Sequence, residues 1–105
     1  MKKFIVIQNM KSRGRSLKRN YIESLLKKQD IEYELFQTHN IYELENIISN
    51  YKDSSKYQYC TIGGDGSLNA LVNALFKYEI NLPSVSCLPA GSGFHSLQVL
   101  SLIHI

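Results

Sequence analysis

Short apolar segments alternate with helical patterns along most of this chain, and this alternation limits the fold more than any other feature. Phe4 to Gln8 is an apolar run rich in β-branched residues, and "IEYELFQ" from Ile31 alternates apolar and polar side chains. The segments "YQYCTI" and "LPSVSCLP" predict a third and a fourth strand. Because helical patterns separate these segments, the order predicts βαβ units and a parallel sheet covered on both faces.

Three helices are predicted between the strands. The first begins at Ser16, which is a suitable N-cap, and the second follows Asn40, which forms a capping box with Glu43. The third runs from about Ser67 to Lys77. The apolar stripes of the first two helices are Leu17, Tyr21, Ile22, Leu25 and Leu26, and Leu44, Ile47, Ile48 and Tyr51. We therefore expect a three-layer α/β/α architecture with a mostly parallel sheet.

Composition is that of an ordinary soluble domain. The chain has 105 residues, of which 44% are hydrophobic and 20% charged, and this balance argues against disorder. No apolar run approaches the roughly 20 residues that span a bilayer, and Phe4 to Ile7 is too short for a secretory signal. Cys60 and Cys87 lie in apolar segments, which favours reduced thiols in a cytoplasmic protein. The three histidines have no spacing typical of a zinc site, so we predict no metal-ligand cluster.

The sharpest local signal is "GGDG", which lies between the third strand and the third helix. Gly63, Gly64 and Gly66 would let the backbone approach a bulky anion, and the helix that follows directs free N–H groups to the same place. A turn that only joins a strand to a helix would need one glycine. The loop has neither the lysine of the Walker pattern nor the G-x-G-x-x-G spacing of dinucleotide-binding folds. Asp65 beside a polyphosphate implies a divalent cation or a proton-transfer role.

Three loops are expected at the carboxyl rim of the sheet, where open α/β proteins bind ligands. They are residues 9–15, 63–66 and 89–93, and each contains glycine. The first loop also begins a basic cluster, which could face phosphates, an anionic membrane or nucleic acid, or only solvent. The aromatic residues do not form the basic-aromatic pattern of an RNA-binding surface, so we expect no nucleic-acid partner. The basic cluster consists of Lys11, Arg13, Arg15, Lys18 and Arg19.

"GGDGSLNALVNAL" resembles the G-G-D-G-[T/S]-x-N-x-x-x-N signature of the diacylglycerol kinase catalytic-domain family, which includes bacterial lipid kinases and sphingosine kinases. "NMKSRGR" is similar to the first loop of that family, and "LPAGSG" to its third loop. The chain departs from the family where Met10 replaces a proline, where Arg13 shifts the glycine by one place, and where Phe94-His95 follows Gly93 in place of Asn-Asp. NAD kinases share "GGDG", but Asn69 and Asn73 favour the lipid-kinase branch.

The resemblance implies that ATP and Mg²⁺ bind across the three loops and that the terminal phosphate passes to a lipid hydroxyl. Asp65 would be the catalytic residue. The resemblance predicts that the nucleotide is held by Asn9, Lys11, Ser12, Gly14, Thr38, Gly63, Gly64, Asp65, Gly66, Ser67, Asn69, Gly91 and Ser92.

The resemblance also implies a division of the chain. Residues 1–93 would form the nucleotide-binding domain and residues 94–105 an atypical tail, with the β-rich lipid-binding domain of the family absent from this fragment. Two other functions stay open, namely a nucleotide-binding module without catalysis and an NAD kinase. Contact with the surface of a membrane and a homodimer stay open as well.

Overall fold

The observed order of helices and strands follows the alternation in the sequence. A computed structural model of the protein describes residues 2–11, 17–81 and 83–88, and only the backbone of residues 101–104. All four predicted strands and all three predicted helices are present. The elements are β1 (Lys3–Asn9), α1 (Arg19–Lys28), β2 (Tyr33–Thr38), α2 (Ile41–Asn50), β3 (Tyr57–Ile62), α3 (Asp65–Lys77), β4 (Ser84–Leu88) and β5 (Ser101–His104).

The sheet is mostly parallel, as predicted. Its strand order is β2-β1-β3-β4-β5, in which the first four strands are parallel and β5 pairs with β4 in antiparallel orientation. The strand β5 lies in residues 94–105, for which the sequence predicted only an atypical tail. Four residues contain too little periodicity to be distinguished from a loop, which explains why β5 was missed.

Helices cover both faces of the sheet and create the expected three layers. Side chains alternate along β1, so Val6 joins the hydrophobic cluster under α1, whereas Ile5 and Ile7 join the cluster under α2 and α3. All three side chains are buried. Crossovers between parallel strands are right-handed, so the direction in which the chain moves along the sheet decides which face its helix covers. The chain moves one way from β1 to β2 and the opposite way from β3 to β4, so α1 and α3 cover opposite faces.

The first helix begins later than the sequence predicted. Lys18 is the N-cap residue of α1 and is extended, whereas Ser16 had been predicted and lies outside the described residues. The reason is a tertiary contact, since the carbonyl oxygen of Leu17 accepts a hydrogen bond from Gln8 in β1. Tyr21 was placed on the apolar stripe, but 43% of it is exposed because the buried face centres on Ile22 and the two leucines that follow it in α1.

The second helix begins as predicted. Asn40 is its N-cap, and its side-chain oxygen accepts a hydrogen bond of 2.9 Å from the N–H group of Glu43. The Glu43 carboxylate in turn accepts a bond from the N–H group of His39, one residue before the cap. These contacts with His39 lower the pKa of Glu43, the backbone bond being the larger cause. The capping box is therefore confirmed, with its return bond displaced by one residue.

Candidate functional site

The strand order creates a crevice between the carboxyl ends of β1 and β3. The chain leaves β1 toward β2 over one face of the sheet and leaves β3 toward β4 over the other face. The connections therefore diverge above the gap between β1 and β3, and open α/β sheets bind ligands at such a point. The first loop begins at Asn9 on one side of this crevice, and the glycine loop begins at Gly63 on the other.

Asn9 links the two sides of the crevice. Its side-chain oxygen accepts a hydrogen bond of 2.9 Å from the N–H group of Lys11, which gives residues 9–11, the start of the first loop, the form of an Asx turn. Its side-chain nitrogen donates to the Ser67 hydroxyl in the first turn of α3, at 3.4 Å. The Met10 N–H group donates to the carbonyl oxygen of Thr38 and so ties the first loop to the end of β2.

Gly63 is the glycine that the backbone itself requires. Its φ angle is 145°, in a region that side-chain-bearing residues rarely adopt. The Gly63 N–H group donates to the carbonyl oxygen of Leu88 at the end of β4. The predicted third loop, residues 89–93, lies outside the described residues. The chain after β3 is thus held against the neighbouring strand at the same rim.

Gly64 and Gly66 differ from Gly63, because neither their backbone angles nor their described neighbours require a glycine. A Cβ atom added at either position would meet no atom within 4 Å, and neither has a positive φ angle. Gly64 is the extended N-cap of α3, which begins at Asp65 rather than at the predicted Ser67, and no side chain caps it. The helix begins early because the Leu68 N–H group donates to the carbonyl oxygen of Gly64. Within the described part of the chain, the first N–H groups of α3 have no hydrogen-bond acceptor, as expected for an uncapped helix start.

A cavity of about 360 Å³ lies beside this helix end, between the starts of α2 and α3. Four of the predicted nucleotide-binding residues line it, namely Asn9, Lys11, Thr38 and Ser67. Its apolar lining includes Ile7, Leu44 and Leu71, which belong to the core or to the helices above it. The cavity therefore combines an apolar floor with polar groups at its edge, as small-molecule sites do.

The structure adds cavity residues that the sequence did not suggest. Thr61 lines the cavity from β3, and His39 and Asn40 line it from the start of α2. A threonine within an apolar strand carries no sequence signal of its own. The sequence identified Asn40 only as a helix cap. A helix cap by itself does not show that the start of α2 adjoins the site.

The remaining predicted residues divide into three groups. Gly63, Gly64, Asp65 and Gly66 form the loop and the helix start next to the cavity but are not part of its lining. Asn69 and Asn73 are exposed on α3. Four predicted residues lie outside the described part of the chain, namely Ser12, Gly14, Gly91 and Ser92.

Asp65 is the acidic group of this rim. It is exposed at the first position of α3, where the helix dipole favours a negative charge. Burial raises the pKa of the Cys87 thiol in β4, and the negative charge of Asp65 raises it further. Among the residues that the structure describes, Asp65 takes part in no ion pair. No group of three potential metal ligands occurs in residues 2–11, 17–81 and 83–88.

The described members of the basic cluster do not form one surface. Lys11 is exposed at the edge of the cavity. Arg19 instead donates to the carbonyl oxygen of Leu35 and pairs with Glu23 on its own helix. Arg13 and Arg15 lie outside the described residues. Of the cluster members that are described, Lys11 alone lines the cavity beside the glycine loop.

Both cysteines are free thiols, as predicted. Cys60 is fully buried, and burial raises its pKa to about 12. The Cys87 sulfur lies 3.7 Å from the carbonyl oxygen of Gly63. In the described residues, no helix has the length and apolar character needed to cross a membrane.

These features define an open α/β domain with a crevice between β1 and β3, where the chain connections diverge and where the glycine loop begins. The family model of the diacylglycerol kinase catalytic domain matches residues 3–102 of the chain. The match covers nearly all of the sequence, and the protein therefore belongs to the diacylglycerol kinase catalytic domain family. A search among curated proteins finds no significant match. Membership identifies the chain as kinase-like and places it among lipid-kinase catalytic domains.

Proposed function

We propose that the crevice binds ATP and that the protein contributes this site to the transfer of the terminal phosphate to a lipid hydroxyl. One observation carries the proposal more than any other. The helix that starts at the crevice has a glycine as its N-cap, no capping side chain, and open space at Gly64 and Gly66. An arrangement of this kind leaves main-chain N–H groups available to an anion.

The phosphates of ATP suit this helix end. Oxygen atoms of a phosphate could accept hydrogen bonds from the first N–H groups of α3, and the open space at Gly66 would allow the close approach that such bonds need. The N–H groups are fixed by the helix before the ligand arrives, so they require little reorganisation. Phosphoryl transfer depends mainly on positioning of this kind and on neutralising charge.

The cavity beside the helix end would receive the rest of the nucleotide. Thr38 and Lys11 supply polar and cationic groups at its edge, while Ile7 and Leu71 supply an apolar floor. Asn9 would keep the two walls of the site together through its bond with Ser67. We assign binding roles to these residues on the basis of the shared cavity and of the resemblance described above.

Asp65 is proposed as the catalytic and cation-directing residue. Mg²⁺ is usually bound through one or two carboxylates together with substrate phosphates rather than by a complete protein cage. One exposed carboxylate without an ion-pair partner in the described chain, next to the proposed phosphate site, fits this pattern. Bound Mg²⁺ would supply charge neutralisation between the carboxylate and the phosphates.

The acceptor is proposed to be a lipid, and its binding residues are expected in a β-rich domain, as the family resemblance implies. A peripheral contact with a membrane would follow from such an acceptor. Neither feature is needed for the nucleotide site, so the two parts of the proposal can be tested separately.

Calorimetric titration of the chain with Mg-ATP tests the first part. The matched variants are Gly66→Asp, which adds a negative charge beside the helix N-terminus, and Asn46→Asp, which adds the same charge on the exposed surface of α2. We expect Gly66→Asp to fold and to lose ATP binding, because nothing within 4 Å opposes a side chain there. Asn46→Asp should bind as the original chain does. A folded Gly66→Asp variant with unchanged affinity would refute the phosphate site.

An assay of phosphate transfer tests the second part. Diacylglycerol, sphingosine and NAD are offered as acceptors with radiolabelled ATP. Label in a lipid supports the lipid kinase, and label in NAD would replace it with an NAD kinase. ATP binding without transfer to any acceptor would indicate a nucleotide-binding module without catalysis.

A further inference from the structure

Thr61 is a buried polar residue in the otherwise apolar floor of the cavity. Its exposed fraction is 1%, and it lines the cavity from β3. Side chains alternate along a strand, so Thr61 stands on the same face of the sheet as Tyr59, under α2 and α3. Its neighbour in β1 is Ile7, whereas Thr38 is level with Asn9 at the end of that strand. Thr61 therefore lies one layer of side chains below the edge of the cavity.

The hydroxyl group of Thr61 has no hydrogen-bond partner among the residues that the structure describes. In the same part of the chain, no buried side-chain oxygen lacks both a partner and access to solvent. The Thr61 oxygen therefore keeps access to solvent, and it does so through the cavity that Thr61 lines. The buried hydroxyl of Ser86 differs, because it donates to the carbonyl oxygen of Tyr59 at 3.4 Å. A nearly buried hydroxyl without a partner costs free energy, so that of Thr61 is suited to a partner from outside the chain.

The lining around Thr61 suits a flat ring with a polar edge. Ile7 and Leu71 line the same cavity and are themselves buried. Lys11 and His39, the ionisable groups in the described part of the lining, are both exposed. A phosphate on the floor would lose its hydration without a cation to replace it, so phosphates belong at the helix end. An aromatic base can cover the apolar walls with its faces and reach the hydroxyl with its edge.

We propose that Thr61 is a specificity residue of this site, whose hydroxyl group hydrogen-bonds the polar edge of a nucleobase. The inference rests on the proposed function, because it names the part of the nucleotide that enters the cavity. A threonine hydroxyl can donate or accept, so either an amino or a keto group of a base satisfies it. The cavity volume of about 360 Å³ lies near the lower end of the range of small-molecule sites, about 300–1,000 Å³, which suits a group of the size of a base.

Two variants of Thr61 separate recognition of the base from a role in the fold. Thr61→Val replaces the hydroxyl by a methyl group and keeps a β-branched side chain in β3. Thr61→Ser keeps the hydroxyl and removes the methyl group. Ser86→Ala is the matched control, because it removes a buried hydroxyl that has a backbone partner. Ser86 is paired with Cys60 and stands on the opposite face of the sheet, under α1.

Calorimetric titrations of the full chain compare Mg-ATP with Mg-tripolyphosphate, which carries three phosphates but neither base nor ribose. We expect Thr61→Val to raise the dissociation constant for Mg-ATP by about two- to tenfold, the factor that one hydrogen bond accounts for. The same variant should bind tripolyphosphate as the original chain does. Thr61→Ser should keep its affinity for Mg-ATP within about twofold, because it retains the hydroxyl. Ser86→Ala should bind both ligands as the original chain does.

Melting temperatures without ligand supply a second readout, which a purely structural role would move in the other direction. Thr61→Val should melt at the same or a higher temperature than the original chain, because it removes a hydroxyl that has no partner in the fold. Ser86→Ala should melt roughly 4–8 °C lower, because it removes a hydroxyl that has one.

Unchanged affinity of Thr61→Val for Mg-ATP would overturn the inference. An equal loss of affinity for tripolyphosphate would overturn it as well, since the substitution would then disturb the site as a whole. A melting temperature of Thr61→Val as low as that of Ser86→Ala would show that the hydroxyl serves the fold, which also rejects the role in recognition.

The outcomes separate this inference from the proposed function. If the original chain binds tripolyphosphate as tightly as Mg-ATP, the phosphate site stands and the base site fails. If it binds neither, the proposed ATP site fails, and titration with adenosine, followed by nuclear magnetic resonance, decides the inference. Chemical shift changes at Ile7 and Leu71 that weaken in Thr61→Val would then support the base site. No change at these residues, or the same change in the variant, would overturn it.

Discussion

Replacing Gly66 by alanine should have opposite effects on stability and on nucleotide binding. Gly66 lies in the first turn of α3 without a positive φ angle, and an added Cβ atom would meet nothing within 4 Å. Alanine in a helix is more favourable than glycine by about 0.5–1 kcal/mol, and the first turn falls at the lower end of this range. We therefore expect the free energy of unfolding to rise by about 0.5 kcal/mol.

The expected gain corresponds to a higher melting temperature by roughly 2–4 °C for a domain of this size. The same methyl group would stand where a phosphate has to approach the backbone. Losing one hydrogen bond to a charged phosphate removes about 1.5–3 kcal/mol of binding free energy, which is at least a tenfold loss of affinity. Circular dichroism melting without nucleotide and calorimetric titration with Mg-ATP measure the two effects.

The control for this prediction is Asn46→Ala on the exposed surface of α2. This substitution also replaces a weaker helix former by alanine, so it should raise stability and leave ATP affinity unchanged. If Gly66→Ala binds ATP as tightly as the original chain, the open space at this position does not serve the ligand. A Gly66→Ala variant that is less stable than the original chain would show that the backbone does require glycine there.

Three further predictions concern the elements around the site. Gly63→Ala should lower the free energy of unfolding by about 1–3 kcal/mol in urea titrations, because the φ angle of 145° is unfavourable for any side chain; an unchanged midpoint would contradict it. Asn40→Ala should cost about 1 kcal/mol through loss of the α2 cap, whereas Asn40→Asp should be nearly neutral. Stability should also fall between pH 10 and 12. The hydrogen bond from Tyr51 to Glu34 raises the pKa of Tyr51 from 10.0 to about 12, and burial raises that of Tyr59 equally. The folded state then holds these protons more tightly than the unfolded state, so their contribution is complete below pH 10 and is lost as the pH rises. Tyr51→Phe should reduce this dependence in unfolding experiments between pH 8 and 11.5.

Most of the fold was readable from the sequence because the first four strands and the three helices each carry a recognisable pattern of apolar residues. β1 and β3 are short apolar runs, and α2 combines a capping residue with an apolar stripe. Where the sequence prediction was wrong, contacts between distant residues decided the outcome. The start of α1 depends on the bond between Gln8 and Leu17, which periodicity cannot report. The antiparallel β5 was missed because its four residues carry no pattern.

The site was readable only in part. Glycine spacing pointed to the loop at residues 63–66, and topology pointed to the rim of the sheet. The sequence could not show that Thr61 and His39 line the same cavity as Asn9, because this grouping depends on the register between strands and on the place where α2 begins. The sequence also could not separate Gly63, which the backbone requires, from Gly64 and Gly66, which it does not.

The two helices that begin at the cavity differ in how their first turns are capped. This difference supports the distinction between Gly63, which the backbone requires, and Gly64, which it does not. α2 is capped by Asn40, whose side chain occupies the N–H group of Glu43. α3 begins at the same rim with Gly64, which offers no side chain to its first N–H groups. A serine or aspartate at position 64 would cap the helix by a few tenths of a kcal/mol better than glycine does. Such a side chain would also occupy the N–H groups that a phosphate needs. The uncapped start of α3 is therefore unfavourable for the fold alone, and it becomes favourable once an anion completes the helix.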